Sequence, residues 1–286
     1  MAQQSTRTST PMVLVHGFWH GSWCWSRLIT ELACLGRSAV AVDLLGHGLH
    51  ARRPHWSTAS NYDPEAVLSE VSPLAQLTLD DAAEHLASQL RRIGRGRPVT
   101  VVVHSASGLI LSRVAQQHPE LFERMIYLSA FMPASDVSPV VYNQIPEAAE
   151  SRIVPLYKGD PADIGAIRLD VATDDRHYRE EMREALYGDA DPQVAEAALR
   201  LITPDVPVGF AFGTTTLTHD GWGSVPRTYL RCAADTGLMT AVQDLFIRDA
   251  DDAYPDNPTS VETINSSHSP FVSMPADLAG LLTDLD

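Results

Sequence analysis

Short apolar runs recur along the chain and predict buried strands. The most continuous run is 99–103, where four of five residues are valine, as is typical of a strand buried on both faces. Similar runs predict further strands at 12–15, 39–43, 125–129, 227–231 and 261–264. Between the runs, apolar residues at helical spacing predict helices at 25–35, 78–93, 109–117 and 273–285, the last with Ser273 as its N-cap and Pro275 in its first turn.

Strands that alternate with helices are typical of a parallel sheet covered by helices on both faces. The sequence therefore predicts an α/β fold with a mostly parallel sheet of six strands. The alternation is interrupted twice: residues 49–77 show no strong period and predict a long excursion or mobile loop, and residues 134–223 contain no convincing parallel strand. We predict three parts, namely a first core part at 1–133, a helical cap at 134–225 and a second core part at 226–286.

Ser105 directly follows the valine-rich strand and precedes a predicted helix. A strand, a sharp turn with serine at its apex and a helix form the context of a nucleophile elbow, so Ser105 is the candidate nucleophile. The pattern is imperfect, because Val103 and Ser107 occupy the positions that are usually glycine, and Gly108 comes one place later. A serine at such a turn is also typical of a helix cap.

Two further residues of triad chemistry follow the ends of later strands. Asp235 comes after the strand at 227–231 and His268 after the strand at 261–264, which gives the chain order Ser, Asp, His. A serine hydroxyl needs an imidazole base, and the imidazole needs a carboxylate to orient it. Asp235 as an N-cap for the segment from Leu238 and His268 as an ordinary loop histidine are the alternatives. Asp249, Asp251 and Asp252 are competing acids that fit a solvated loop.

An oxyanion hole requires two backbone N–H groups aimed at the developing charge. We expect one from Ala106, directly after the nucleophile, and one from Phe18 in the loop after the first strand. Gly17 in that loop fits either a tight turn or a close approach of the backbone to the substrate.

Composition narrows the class of protein. Hydrophobic residues make up 44% and charged residues 20% of the 286 residues, as in ordinary globular proteins. The net charge of −15 disfavours nucleic acid and anionic membranes as partners. The polar start of the chain and the lack of a long apolar run make the cytoplasm the expected location. We expect the cysteines to be buried thiols rather than a disulfide framework or a metal site: Cys24, Cys34 and Cys232.

These motifs resemble the α/β-hydrolase group of plant methylesterases, hydroxynitrile lyases and related bacterial carboxylesterases. The resemblance spans nearly the whole chain and rests on Val13-Leu-Val-His-Gly-Phe-Trp-His-Gly-Ser-Trp-Cys-Trp25, the Ser105 elbow, Phe131-Met-Pro133, Arg227-x-Tyr-x-x-Cys-x-x-Asp235 and Ser267-His-Ser-Pro-Phe-x-Ser-x-Pro275. It implies an α/β-hydrolase fold, a Ser105–His268–Asp235 triad and an oxyanion hole at Phe18 and Ala106. It also implies a cap over an apolar pocket, for which we expect Gly17, Trp19, Phe131 and Met132 as lining residues.

The chain also departs from the hydroxynitrile lyases of this group. They carry a lysine just after the catalytic histidine and a threonine after the first-loop histidine, where this chain has Ser269 and Gly17. We therefore expect a serine carboxylesterase for small apolar or aromatic esters, methyl esters included. A hydroxynitrile-lyase-like or other carbonyl lyase on the same triad and a non-enzymatic ligand receptor are the alternative functions.

We expect neither a cofactor nor a metal. The pairs His16 with His20 and His47 with His50 have spacings that suit zinc on a helix, but both lie in glycine-rich loops without a nearby third ligand. The expected partner is a small-molecule ester, with no nucleic acid and no membrane, and a homodimer remains open.

Overall fold

A computed structural model describes residues 10–285. Its strands are β1 (Met12–Val15), β2 (Ala39–Val42), β3 (Val99–His104), β4 (Phe122–Leu128), β5 (Ala166–Arg168), β6 (Asp205–Pro207), β7 (Arg227–Cys232) and β8 (Ser260–Ile264). Six of them form one sheet in the order β2-β1-β3-β4-β7-β8, and every neighbouring pair in it is parallel. The prediction of a six-stranded parallel sheet is confirmed.

The helices follow the alternation that the apolar pattern predicts. They are α1 (Ser26–Cys34), α2 (Pro64–Ser69), α3 (Leu79–Gly94), α4 (Gly108–Gln117), α5 (Pro139–Tyr142), α6 (Pro161–Ile164), α7 (Arg176–Tyr187), α8 (Pro192–Leu199), α9 (Val208–Phe212), α10 (Thr240–Ala253), α11 (Pro270–Ser273) and α12 (Pro275–Leu285). Helix α1 packs against α12, and α3 packs against α4. Because parallel crossovers are right-handed and the strand order reverses after β2, α1 and α3 cover opposite faces of the sheet.

The central strands of the sheet form a continuous apolar core. Strands β1 and β3 are buried at every position, and the valines of β3 are inaccessible to solvent. Both faces of these strands are covered by apolar side chains. Their sequences therefore lack the alternation of polar and apolar residues that a half-exposed strand shows. Because all six strands are parallel, their carboxyl ends lie at one edge of the sheet. The connections that follow β1 and β3 run in opposite directions, and sheets of this kind bind their ligands in the crevice between two such strands.

The segment between β4 and β7, residues 134–225, is an insertion that contains α5 to α9 and a separate antiparallel pair of strands, β5 and β6. Arg168 and Asp205 fasten this pair with two hydrogen bonds of 2.7 and 2.8 Å, and both side chains are buried. A third bond from Arg168 reaches the carbonyl oxygen of Val67 at 2.9 Å and ties α2 to the insertion. The division of the chain into core and cap stays a prediction.

Two local predictions, on Ser273 and on Cys34, were wrong, and the predicted long excursion contains one short helix. Residues 49–77 contain helix α2, which starts after Asp63, whose carboxylate accepts hydrogen bonds from two helical N–H groups. Ser273 does not cap the final helix but ends α11; the final helix starts at Pro275, whose missing N–H interrupts the hydrogen-bond ladder. Cys34 is exposed at the end of α1, whereas Cys24 and Cys232 are buried.

No helix within the described residues is long and apolar enough to cross a membrane.

Gly108 marks the closest approach between the elbow helix and the next strand's loop. A Cβ at this position would overlap the carbonyl oxygen of Phe131, whose own N–H donates to the carbonyl oxygen of Ser105 at 3.0 Å. The glycine that the elbow requires is therefore three residues after Ser105 instead of two.

We expect Gly108→Ala to lower the free energy of unfolding by about 1–3 kcal/mol, because the added methyl group overpacks a rigid backbone contact. Gly280→Ala is the matched control: it lies in α12 with open space around the new Cβ, so it should raise stability by about 0.5–1 kcal/mol. Urea unfolding of both variants measures the difference, and equal values would contradict the close approach.

Candidate active site

Ser105, His268 and Asp235 meet at the carboxyl edge of the sheet. His268 Nε2 lies 2.9 Å from Ser105 Oγ, and His268 Nδ1 lies 2.6 Å from Asp235 Oδ2. The three residues follow β3, β8 and β7, so the parallel sheet brings their loops to the same edge. The arrangement joins the candidate nucleophile, the candidate base and the candidate orienting carboxylate in one hydrogen-bonded chain.

The elbow holds Ser105 in an unusual backbone conformation. Its φ is 56°, in the left-handed region that non-glycine residues rarely adopt. Such conformations cost about 1–3 kcal/mol and persist only where the surroundings impose them. The Ser105 hydroxyl caps no helix, because its hydrogen-bond partner is His268. The geometry of a nucleophile elbow is thus present although Val103 and Ser107 replace the usual glycines.

Asp235 makes both of the interactions considered from the sequence: it caps the segment at Leu238, and it holds His268. Its Oδ1 accepts from the N–H groups of Gly237 and Leu238 at 2.8 and 2.9 Å, which is the capping interaction. Its Oδ2 accepts from His268 and from the hydroxyl of Ser129. Four hydrogen bonds thus hold a carboxylate that is 3% exposed, and they direct one oxygen at the imidazole.

Sequence reasoning missed Ser129. It directly follows β4 with a φ of 38°, and its hydroxyl donates to Asp235. Its position after a strand end was the available signal, because the ends of neighbouring parallel strands meet at one edge.

The competing acids lie elsewhere. Asp249 pairs with Arg248 at 3.2 Å, and Asp251 accepts from the N–H of Thr259 at 2.7 Å. Asp252 is exposed on α10. None of these three carboxylates has a hydrogen bond to His268 among the contacts of residues 10–285.

Asp189 of the insertion anchors the loop that carries His268. It accepts from the N–H of Ser267 and the hydroxyl of Ser266, each at 2.9 Å, and from the hydroxyl of Ser267. Burial raises the pKa of Asp189, but the hydrogen bonds from Ser267 and Ser266 outweigh it and leave the pKa below its ordinary value. A stable carboxylate thus fixes the two residues before the base.

The first-strand loop passes directly beside the nucleophile. A Cβ at Gly17 would lie 2.7 Å from His104 Nδ1 and 2.8 Å from Ser105 Cβ, so no larger residue fits without a shift. The following residue, Phe18, lines the same cavity as Ser105 and Ala106. Ala106 lies in the first turn after β3, where N–H groups lack helical acceptors. The two N–H groups remain the predicted oxyanion donors.

An apolar cavity opens onto Ser105 and His268. Two predicted lining residues border it, Trp19 in the loop after β1 and Phe131 in the loop after β4. Phe18, which carries a predicted oxyanion N–H, borders it as well. The insertion supplies most of the opposite wall, including Ile153, Ile167 and Leu186.

Two predicted lining residues do not border the cavity. Met132 packs into the core with 1% of its surface exposed. Gly17 lies behind the nucleophile, against His104 and Ser105.

Buried neutral imidazoles surround the first-strand loop. His16 Nδ1 donates to the carbonyl oxygen of Gly17 at 2.8 Å, and its Nε2 accepts from the N–H of Leu44 at 3.1 Å. His20 Nδ1 donates to the carbonyl oxygen of Phe18 at 2.8 Å, and its Nε2 lies 2.6 Å from the Tyr187 hydroxyl. Both ring nitrogens of each histidine are therefore engaged.

The histidine pairs whose sequence spacing suits zinc do not form clusters of metal ligands in the described residues. The His47 ring lies 5.2 Å from that of His16, whereas the His50 ring lies 4.9 Å from that of His85. No group of three candidate metal ligands occurs within the described residues.

Burial lowers the pKa of three of these histidines. The pKa is about 3 for His16 and about 4 for both His20 and His47, chiefly because the charged form would lose its hydration. They therefore stay neutral near pH 7 and act as hydrogen-bond donors to the loop rather than as charges.

The parallel sheet, the insertion after β4 and the Ser–His–Asp chain define the class of protein. The chain belongs to the alpha/beta hydrolase family, whose model matches residues 12–281. The resemblance inferred from the motifs is confirmed.

The chain is similar to plant esterases. The chain is 26% identical over 288 residues to methyl jasmonate esterase 1 of Vitis vinifera, with 96% of this chain and 95% of the relative covered. It is 26% identical to methylesterase 7 of Arabidopsis thaliana, with the same coverage. A pyrethroid hydrolase from Sphingobium faniae shares the fold, with a TM-score of 0.72, 23% identity and 97% of each chain covered.

The buried histidines predict a loss of stability in mild acid. The unfolded chain takes up these protons below pH 6.5, whereas the folded chain does so only near pH 3–4. Stability is therefore fully present above pH 6.5 and falls as the pH drops, by about 1.4 kcal/mol per pH unit for each histidine. Urea unfolding between pH 6.5 and 5.5 measures this slope before most carboxylates titrate.

His47→Asn is the matched variant for this slope. The asparagine amide keeps a donor for the carbonyl oxygen of Leu45 but does not titrate. The change in the free energy of unfolding per pH unit should therefore be smaller by the contribution of one histidine. An unchanged slope would contradict the assignment of His47 as a buried neutral group.

The Asp189 contacts predict an effect on turnover. Asp189→Ala removes the acceptor for three donors, so the loop before His268 should loosen and kcat should fall about tenfold, with a smaller change in KM. Asp220→Ala, at an exposed aspartate of the insertion, is the control and should retain kcat. Ester hydrolysis measures both, and a native kcat in Asp189→Ala would refute the anchoring role.

Proposed function

We propose that this protein is a serine carboxylesterase that hydrolyses small apolar or aromatic esters, methyl esters included, through an acyl-enzyme on Ser105. The observation that carries the proposal is the hydrogen-bonded chain from Ser105 through His268 to Asp235, which opens into an apolar cavity.

The class of enzyme, a carboxylic ester hydrolase, is confirmed by the methylesterase relatives. The particular ester, the catalytic roles of the residues and the acyl-enzyme belong to the proposal.

The geometry supports an attack in which His268 acts first as base and then as acid. As Ser105 Oγ bonds to the ester carbonyl carbon, its proton moves to His268 Nε2. Asp235 holds Nδ1–H and stabilises the imidazolium that forms. The negative charge on the carbonyl oxygen faces the predicted N–H donors of Phe18 and Ala106.

Collapse of the tetrahedral intermediate breaks the bond to the alcohol oxygen. His268 returns its proton to that oxygen, the alcohol leaves, and the acyl group stays on Ser105. Water then attacks the acyl carbon, gives a proton to His268 and releases the acid, after which the serine recovers its proton. The balance is one ester and one water consumed, and one acid and one alcohol formed.

The cavity favours hydrolysis over release of a carbon leaving group such as cyanide. Its lining contains no lysine or arginine among the residues that the structure describes, so no fixed cation stabilises a departing anion. Ser269, which follows the base, is neutral and buried.

We expect Ser105→Ala and His268→Ala each to lower kcat for methyl and activated esters about 10³-fold or more, because each removes one member of a unit that acts together. Ser107→Ala is the matched control: its buried hydroxyl has no hydrogen-bond partner, so its loss should keep both activity and stability.

Steady-state hydrolysis with product analysis decides between the functions. Acid plus alcohol supports the esterase, carbon–carbon cleavage without water uptake would establish the lyase, and binding without turnover would establish the receptor. A Ser105→Ala variant as active as the native protein would exclude the proposed nucleophile.

A further inference from the structure

The cavity wall holds two polar side chains besides those of the triad. Asn143 and Tyr157, both from the insertion, line a cavity whose remaining walls are apolar side chains and backbone. Polar groups placed in an apolar pocket fix the orientation of a ligand and determine which ligands fit. These two residues are therefore candidates for contacts with the part of the substrate that does not react.

The Tyr157 hydroxyl has no hydrogen-bond partner within residues 10–285. Burial raises the pKa of this phenol above its ordinary value, so the group is neutral and carries its proton. Tyr157 is partly buried, whereas five tyrosines of the buried core have partners for their hydroxyls: Tyr127, Tyr142, Tyr178, Tyr187 and Tyr229. Tyr254 also has none, but it does not line the cavity.

A hydroxyl that borders an apolar cavity and has no protein partner can bond water, and a ligand that offers an acceptor replaces that bond. A ligand of the same shape without an acceptor displaces the water and leaves the hydroxyl unpaired. A neutral phenol that retains its proton offers a donor. A neutral oxygen acceptor suits this environment better than a carboxylate, because the described lining contains no lysine or arginine to balance a charge.

Tyr157 is held rigidly on both sides. Its N–H donates to the carbonyl oxygen of Val154 at 3.2 Å, and the N–H of Lys158 donates to the carbonyl oxygen of Arg168 at 3.0 Å. Arg168 in turn is fixed by the buried pair with Asp205. These contacts fix the backbone that carries the Tyr157 ring, so little backbone entropy is lost there when a ligand binds.

Tyr157 also lies next to the loop that carries the predicted oxyanion donor. Its ring centroid is 6.0 Å from that of Trp19, which follows Phe18 in the chain. Both rings line the cavity that contains Ser105. Ser105, Trp19 and Tyr157 thus border one continuous cavity that can hold both ends of a single ligand.

We propose that the Tyr157 hydroxyl donates a hydrogen bond to a neutral acceptor oxygen, such as a ketone, on the body of the substrate, remote from the ester that reacts. The substrate class is then an apolar ester with a second oxygen function, in preference to a hydrocarbon ester of the same shape. This inference rests on the proposed function and adds a specificity-determining residue to it.

A matched pair of esters tests the contact without turnover. Methyl (4-acetylphenyl)acetate carries the ketone, and methyl (4-ethylphenyl)acetate has nearly the same shape without it. Binding of each to Ser105→Ala protein is measured by calorimetry or by tryptophan fluorescence, which Trp19 in the wall makes sensitive to occupancy. We expect the ketone ester to bind at least fivefold more tightly, because a donor is otherwise left unpaired.

Adding Tyr157→Phe to that protein should bring the two dissociation constants within twofold of each other. Tyr62→Phe is the control, since Tyr62 is half exposed, donates to Asp170 and lies outside the lining; it should preserve the preference. Equal binding of the two esters, no binding of either, or a preference that survives Tyr157→Phe would each overturn the inference.

The same pair, given to protein with an intact Ser105, separates this inference from the proposed function. The ratio of kcat/KM values should match the binding preference and fall to near one in Tyr157→Phe. Binding with the expected preference but without hydrolysis would refute the esterase proposal and still support recognition by Tyr157. Hydrolysis of both esters at equal rates would refute only the recognition.

Discussion

The Asp235 carboxylate is the group on which the arrangement of the site depends. It joins its own loop, the loop after β4 through Ser129 and the loop after β8 through His268. A buried carboxylate without partners would be strongly destabilising, whereas one with four hydrogen bonds is a rigid junction. The imidazole consequently has one orientation, and its other nitrogen faces Ser105.

The insertion supports this junction as well as covering it. Asp189 holds the residues before His268, and the N–H of Thr203 donates to the carbonyl oxygen of Trp19 at 2.7 Å. The Asp189 contact therefore fixes the loop that carries His268, and the Thr203 contact fixes the loop beside Ser105. The same insertion thus contacts both the loop that carries His268 and the loop beside Ser105.

Backbone packing explains how an irregular elbow sequence still forms an elbow. Helix α4 lies so close to the neighbouring loop that one of its positions has no room for a side chain. That position is Gly108, which faces the backbone of Phe131. Val103 remains in the buried sheet and Ser107 is enclosed, so neither position requires glycine in this chain. In this chain the glycine that contacts the neighbouring loop thus lies one residue later than in the usual pattern, and Ser105 stays at the apex of the turn.

The sequence by itself determined the parallel sheet, the place of Ser105 after its central strand and the chain order of Ser105, Asp235 and His268, because these follow from local periodicity and from which residues come directly after apolar runs. Only the tertiary structure placed Ser129 on Asp235, Asp189 on the loop of His268 and Tyr157 in the cavity wall. It also assigned Met132 to the core and paired the short strands β5 and β6. These features arise from contacts between residues far apart in the chain, whose partners no local pattern identifies.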